Sequence, residues 1–313
     1  MKEAKKIRIL FAGTPEFAAT VLEKLIKSEA NIVGVLTAPD KPAGRGLHMQ
    51  SSPVKILAQA HKIPVLQPEK LRDPDFQAHL KSLQPELGIV VAFRMLPETV
   101  WKMPVMGTFN LHASLLPAYR GAAPINRAIM AGEKLSGIST FMLQQEIDTG
   151  DLLLQEKMEI GENETAGSLY DRMMHQGAEL VWKTVIGLCN ESIIPFPQDD
   201  SKTCPAPKIF REDCRIQCDQ NAFEIHNQVR GLNPYPGAFL EHENKILKIH
   251  ASQQTEKSCK EIAPGTLGKI GTQELGLACG DFWLKILELQ PEGKRKMSGA
   301  EYLAGHPLPH YTG

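Results

Sequence analysis

Along the first half of the chain, continuous apolar runs alternate with amphipathic stretches. IRILFAG (7–13) is apolar up to Gly13, the pattern of a strand buried on both faces. A helical stripe of Phe17, Val21, Leu22, Leu25 and Ile26 follows it. NIVGVLT (31–37), IPVLQ (63–67), LGIVVAF (87–93) and GTFNLHA (107–113) read as further strands. PVKILAQAHK (53–62) and DPDFQAHLKSL (73–83) read as the helices between them. Strand and helix alternating at this spacing predict an α/β fold with a Rossmann-like, mostly parallel sheet. Ligands on such sheets sit beyond the carboxyl ends of the strands, where the strand order reverses.

APINRAIMAG (123–132) reads as a helix, GISTFML (137–143) and DLLLQEKM (151–158) as strands, and 165–188 as one long amphipathic helix. The texture then changes. Residues 190–207 are rich in Pro and polar residues without periodicity, as in a linker. Beyond them, short apolar segments punctuated by Gly and Pro predict a small β domain, a barrel of the OB type. The expected division is therefore 1–189, a linker over 190–207, and 208–313.

Composition narrows the picture further. A formal net charge of -1 gives no global basic field, so a nucleic-acid partner would be held by local basic groups and by shape. The six cysteines form no CxxC pair, which favours reduced structural thiols over a zinc site, and no metal is expected. GTPEF (13–17) lacks the GxGxxG spacing of a nicotinamide site. The basic N-terminus passes straight into a strand-like run, and no stretch reaches the length of a membrane span. The expectation is a cytoplasmic protein that uses no membrane.

Candidate chemistry concentrates in FNLHASLLPAYRGAAPI (109–125). Residues i and i+2 of a strand share a face, so Asn110 and His112 point together at a strand end. The pair suits either a hydrogen-bonded sheet end or an amide donor beside a titratable imidazole. Ser114, Leu115, Leu116 and Pro117 form a short apolar loop that suits a turn burying two leucines, a site wall, or both. Asp148, in the turn-like EIDTGDLL, is either a solvated turn residue or a carboxylate that fixes the His112 tautomer and favours its protonated form. APDKPAGRGLHMQSSP (38–53) is long for a loop inside a compact domain and carries Lys41 and Arg45; it suits a surface excursion or a functional loop.

Together, IRILFAGTPEFAA, TAPDKPAGRG, SPVKILA, FNLHASLLPAYRGAAPINRAI, IDTGDLL, LNPYPGAF and LQPEGKRKMSGAEYLAG resemble the formyltransferases that use 10-formyltetrahydrofolate. The GRG loop and the C-terminal part resemble those members that act on methionyl initiator tRNA. The resemblance covers nearly the whole chain and implies the formyltransferase fold. It implies Asn110, His112 and Asp148 as catalytic residues, and Ser114 to Pro117 (Ser114, Leu115, Leu116, Pro117) as the folate-binding stretch. Arg45, with Lys41 beside it, is implied in contact with the tRNA acceptor end. The implied partners are methionyl initiator tRNA and the folate co-substrate, with a monomer expected.

Three departures stand out. AFRMLPETV (92–100) lacks a glycine common there and is one residue short, Ala113 replaces another glycine, and GRGLHMQ is poor in lysine. Residues 208–313 hold thirteen Lys+Arg against thirteen Asp+Glu, so any tRNA contact there needs a local patch such as Lys294, Arg295 and Lys296.

An α-amine titrates near about 7.7–8.0, so an aminoacyl ester supplies its own nucleophile at neutral pH. What direct attack on a formyl carbon needs is oxyanion stabilisation, worth about 3–4 kcal/mol per donor. Asn110 and protonated His112 are expected to donate to the oxyanion, with Asp148 handling the proton. The same trio would serve formyl transfer to an amino-sugar or to a ribonucleotide amine, or hydrolysis of the folate; a non-catalytic tRNA- and folate-binding protein is the alternative outside enzymes.

Overall fold

The computed structural model describes residues 3–43 and 48–311. The chain opens as β1 (Ile9–Gly13), α1 (Glu16–Lys27) and β2 (Ile32–Leu36), followed by β3 (Lys41–Ala43) and β4 (His48–Gln50), which pair antiparallel. It continues as α2 (Pro53–Ala60), β5 (Val65–Leu66), α3 (Pro74–Ser82), β6 (Leu87–Val91) and α4 (Glu98–Trp101). Then come β7 (Thr108–His112), β8 (Ala118–Gly121), α5 (Pro124–Met130), β9 (Leu135–Met142), β10 (Leu152–Glu159) and α6 (Ala166–Cys189).

Seven strands form the central sheet in the order β10-β9-β7-β6-β1-β2-β5. The pairs β5–β2, β2–β1, β1–β6 and β6–β7 are parallel, and β7–β9 is antiparallel. This is the mostly parallel α/β sheet that the apolar runs predict. The chain fills one side of β1 with β2 and β5, then returns to the other side for β6 and β7. The strand order therefore reverses at β1/β6, two strands from the end of β7.

Both faces of β1 are buried, as its unbroken apolar run requires. Leu10 and Ala12 join Leu36, Leu66, Leu80 and Val90 in one core cluster, while Ile9 and Phe11 are fully buried on the opposite face. Each such side chain contributes about 1.5–3 kcal/mol by leaving water. α1 buries Phe17, Val21, Leu22 and Leu25. The Phe17 ring meets Tyr170 of α6 edge-on, with centroids 5.2 Å apart. α6 also approaches β7 closely, since a Cβ on Gly177 would lie 2.8 Å from Leu111 Cδ2. Leu111 is thus pinned against a helix, and this fixes the strand that carries Asn110 and His112.

Past α6 come β11 (Cys204–Ala206), α7 (Ala222–Gly231), β12 (Ala238–His242), β13 (Lys245–Ser258), β14 (Leu267–Gly271), β15 (Glu274–Ala278), β16 (Phe282–Pro291), β17 (Met297–Ser298) and α8 (Gly299–Gly305). β12 to β16 make an antiparallel sheet in the order β12-β13-β16-β15-β14, with β17 on β16. Its core joins Leu247, Ile249, Leu284 and Ile286 to Ile225 and Val229 of α7. The two helices of this part lie outside what its short apolar segments predict.

By compactness the chain falls into two units, one of Met1–Gly121, Gly137–Met158 and Tyr170–Pro205, the other of Ala122–Ser136, Glu159–Leu169 and Ala206–Gly313. Two pieces expected in the first domain, 122–136 and 159–169, are thus drawn into the second unit. Met130 packs against the core of that unit, and polar side chains add ties. Asn126 Nδ2 donates to the Gly231 carbonyl at 2.7 Å, and Arg127 pairs with Asp213 at 3.1 Å. Arg230 Nη1, buried on α7, donates to the Glu164 carbonyl at 3.1 Å.

The expected linker also has structure. Phe196 exchanges backbone hydrogen bonds with Leu152 of β10, at 2.8 and 3.0 Å, and β11 pairs with β8.

Candidate active site

β7 runs between β6 and β9, with Asn110 opposite Val90 and Phe141, and His112 opposite Ser139. Asn110 is half-buried and His112 buried. The His112 Nε2 lies 2.8 Å from the Tyr119 carbonyl oxygen. A carbonyl only accepts, so Nε2 carries a proton and the bond fixes the tautomer. The other ring nitrogen, Nδ1, faces Asp148 Oδ2 at 3.8 Å. That distance is longer than a hydrogen bond, with both side chains little exposed, at 7% and 11%. Catalytic pairs tighten from such geometry when a substrate completes the site.

Asp148 is held in place by backbone rather than by cations. Its Oδ2 accepts the Gly121 N–H at 2.9 Å. It sits at φ +56 in the left-handed region, which Asp tolerates better than most residues. Two glycines make this arrangement possible. Gly121 has φ +126, and a Cβ on Gly150 would lie 1.7 Å from the Met142 carbonyl oxygen. The β9–β10 connection can therefore fold tightly enough to bring Asp148 back to His112.

Asn110 Oδ1 is buried and has no hydrogen-bond partner among the described residues. Leaving a buried polar atom unpaired costs about 1–3 kcal/mol. An amide can turn either end into the same space, so Asn110 can offer an acceptor or a donor beside the imidazole.

The Ser114–Pro117 loop divides its roles. Ser114 Oγ donates to the Ala118 carbonyl at 2.6 Å, and the Ser114 carbonyl accepts from Ser139 Oγ at 2.6 Å. Leu116 packs with Phe141 and Leu152 in a small core cluster, and its carbonyl accepts from Gln155 Nε2 at 2.9 Å. Leu115 and Pro117 are half-exposed. Ser114 and Leu116 thus hold the loop, while Leu115 and Pro117 supply its open surface.

Lys41 is exposed on β3; Arg45 lies outside the described residues. The feet of this excursion are closed by a 2.8 Å hydrogen bond between Thr37 Oγ1 and Ser52 Oγ. Asp40 accepts from Lys55 and from Gln67, and the Lys55 hydrogen bond chiefly holds its carboxyl below the usual range. In the other unit, Arg295 pairs with Glu301 at 2.8 Å and Lys296 with Glu288 at 3.6 Å. These carboxylates blunt the basic patch expected at 294–296.

Sequence reasoning missed three groups next to these residues: the Tyr119 carbonyl, the Gly121 N–H, and Gln198, whose Nε2 donates to the Asp148 carbonyl at 2.9 Å and to the Gly150 carbonyl at 2.8 Å. The first two are main-chain groups and leave no residue-type signal. Gln198 stands in a Pro-rich stretch without periodicity, and nothing in the sequence marks it. No cluster of His, Cys, Asp or Glu among the described residues is fit to hold a metal ion.

Comparisons with known proteins bear on the family. The formyl transferase model matches residues 5–185, and the formyl transferase C-terminal domain model matches 208–307. A methionyl-tRNA formyltransferase of Bacteroides fragilis is 44% identical over 311 residues, covering 96% of both chains. That of Flavobacterium johnsoniae is 45% identical over 306 residues, again covering 96% of both.

Among solved structures, the N-formyltransferase from Helicobacter canadensis in complex with folinic acid and dTDP-3-aminofucose superposes with a TM-score of 0.69. It is 21% identical, over 93% of this chain and 100% of that one. HypX from Aquifex aeolicus in complex with tetrahydrofolic acid gives a TM-score of 0.66 at 18% identity. The match covers 98% of this chain and 49% of HypX, about half its length. At these identities the two structures speak for the fold alone. With two family models in tandem and relatives alike over nearly their whole length, the chain belongs to the formyl transferase family, in the branch of the methionyl-tRNA formyltransferases.

Proposed function

We propose that the chain moves the formyl group of 10-formyltetrahydrofolate onto the α-amine of methionyl initiator tRNA, by direct attack at Asn110, His112 and Asp148. The observation that carries the proposal is the buried Asn110 Oδ1, without a partner among the described residues, beside an imidazole whose Nδ1 faces a carboxylate. An orphaned polar atom in that position fits a ligand carbonyl or its oxyanion. The donor supplies an activated formyl carbon, and Leu115 and Pro117 offer the half-exposed surface against which it would lie.

The amine nitrogen bonds to the formyl carbon, the bond from that carbon to N10 breaks, and the proton shed by the amine ends on N10. Asn110 donates its amide N–H to the oxyanion. His112 donates a second hydrogen bond to the oxyanion from Nδ1 while Nε2 stays on the Tyr119 carbonyl, and Asp148 handles the proton. Because the amine arrives as its own nucleophile, the chain needs no serine or cysteine at this position.

Residues 1–189 carry the chemistry in this proposal, 190–207 join the domains, and 208–313 meet the tRNA, with Lys294 the cation of its patch that has no ion pair among the described residues. Lys41 and Arg45 steady the acceptor end. All three reacting residues come from one chain, which favours a monomer, acting in the cytoplasm with its tRNA. Transfer to amino-sugars is not favoured, since the relatives alike over both domains are tRNA enzymes.

Kinetics of formylation with methionyl initiator tRNA test the chemistry. Asn110→Ala, His112→Ala and Asp148→Asn should each lower kcat/KM by more than about tenfold, some ~1.4 kcal/mol or greater. Smaller losses remove the residue concerned from the chemical step. A trapped formyl-enzyme would replace direct attack with a covalent route.

A further inference from the structure

Three consecutive residues of β8 each touch the site in a different way. Tyr119 gives its carbonyl to His112, Gly121 gives its N–H to the Asp148 carboxylate, and Arg120, between them, turns toward Gln198. Arg120 Nε and Nη2 both donate to Gln198 Oε1, at 3.1 and 2.7 Å. Nη2 also donates to Asp200 Oδ1 at 2.8 Å.

With its oxygen so occupied, the Gln198 amide has one orientation, and its Nε2 points at the turn that carries Asp148. Nε2 donates to the Asp148 carbonyl at 2.9 Å and to the Gly150 carbonyl at 2.8 Å. One side chain thus ties together the two carbonyls that bracket Thr149. The Asp148 backbone is left-handed, a conformation that persists only where its surroundings over-determine it.

The rest of the segment suggests that this is the purpose of its course. Residues 194–197 and 199–200 are exposed, and Gln198 alone among them is half-buried. The segment is fastened on either side of Gln198, by the Phe196–Leu152 backbone pair and by β11 on β8. A plain connector would need neither clamp.

We propose that Gln198, oriented by Arg120, is a positioning residue that holds the Asp148 turn against His112. The proposal rests on the catalytic role given to Asp148 above. It makes 190–207 part of the active-site scaffold as well as a connection between domains. Gln198 acts through Asp148 and touches no substrate, so its loss should appear in kcat rather than in substrate affinity.

The test compares Gln198→Ala and Gln198→Glu in the full-length chain, alone and with Asp148→Asn, under single-turnover conditions with 10-formyltetrahydrofolate and methionyl initiator tRNA. Glu keeps the shape and can still accept from Arg120, but it cannot donate to the two carbonyls. Both single variants should lower the rate about tenfold or more, with KM for either substrate within about threefold of wild type. On the Asp148→Asn background neither should cost more than about twofold further, because the residue it positions is already disabled.

Because Gln198 is flanked by exposed residues, thermal melting of these variants should stay near that of the wild type. The inference is overturned if Gln198→Glu keeps the wild-type rate, which would mean that packing alone matters. It is equally overturned if the full loss recurs on the Asp148→Asn background. An Asp148→Asn variant with unaltered rate would instead sink the catalytic role of Asp148, and this inference with it.

Discussion

Ala92 follows the last residue of β6 with φ +46, in the left-handed region where a Cβ crowds its own backbone. The stretch 92–100 lacks a glycine common among the formyltransferases it resembles, and Ala92 is the residue in it with a positive φ. An L-residue there costs about 1–2 kcal/mol, against an entropic cost of about 0.5–1 kcal/mol for glycine in the unfolded chain. Ala92 is exposed, so no packing is lost when its methyl goes. Ala92→Gly should therefore stabilise the protein by about 0.5–1 kcal/mol in urea unfolding. A loss of stability would mean that the strain is relieved locally in some other way. His112 makes the complementary point at the same scale. Its position on a strand end was legible from Asn-x-His, but its hydrogen bond to the Tyr119 carbonyl was not, because a main-chain acceptor has no letter in the sequence.

At the scale of elements, legibility followed periodicity. Strands β1, β2 and β6 stand where unbroken apolar runs placed them, β7 where its mixed run was read as a strand, and α1, α2 and α3 where helices were read. α7 escaped notice because His226, Asn227 and Arg230 are buried on it, and polar residues turned inward erase the stripe that a helix normally shows. β8 is four residues long, and it meets His112 and Asp148 through backbone groups. α2 illustrates how one legible cap can also serve a loop. Ser52 Oγ accepts the Lys55 N–H at 3.1 Å as the N-cap, with Pro53 at the first helical position. The same hydroxyl meets Thr37 Oγ1, which is fully buried, and so closes the excursion that carries Lys41. Ser52→Ala removes a cap worth about 1 kcal/mol and leaves a buried hydroxyl short of a partner, so about 2 kcal/mol in total is expected. Chemical denaturation measures it, and a cost below about 0.5 kcal/mol would show that the cap and the closure are redundant.

At the scale of the whole molecule, the segment pattern predicts two domains in sequence, while compactness assigns 122–136 and 159–169 to the second unit, with buried or half-buried polar side chains among the ties. Such long-range polar ties have no sequence period, which is why the contiguous division was all that the pattern could offer. The same choice of buried polar groups makes the second unit sensitive to acid. His226 and His250 both have pKa values lowered from 6.5, chiefly by burial. Arg230 adds to the depression at His226, against Glu162; at His250, Lys296 and Lys248 oppose the Gln290 hydrogen bond and Glu288. As pH falls the unfolded chain takes up these protons first. Stability is therefore full above about 6.5 and declines below it until the folded rings titrate as well. Wild-type Tm should fall between about pH 7.5 and 5.5, and the double variant His226→Gln, His250→Gln should fall less over that span. The variant starts lower, because His226 Nδ1 bonds Ser252 Oγ at 3.0 Å, so the slope with pH and not the absolute Tm is the quantity to compare. Equal slopes in the two proteins would assign the acid sensitivity to other groups.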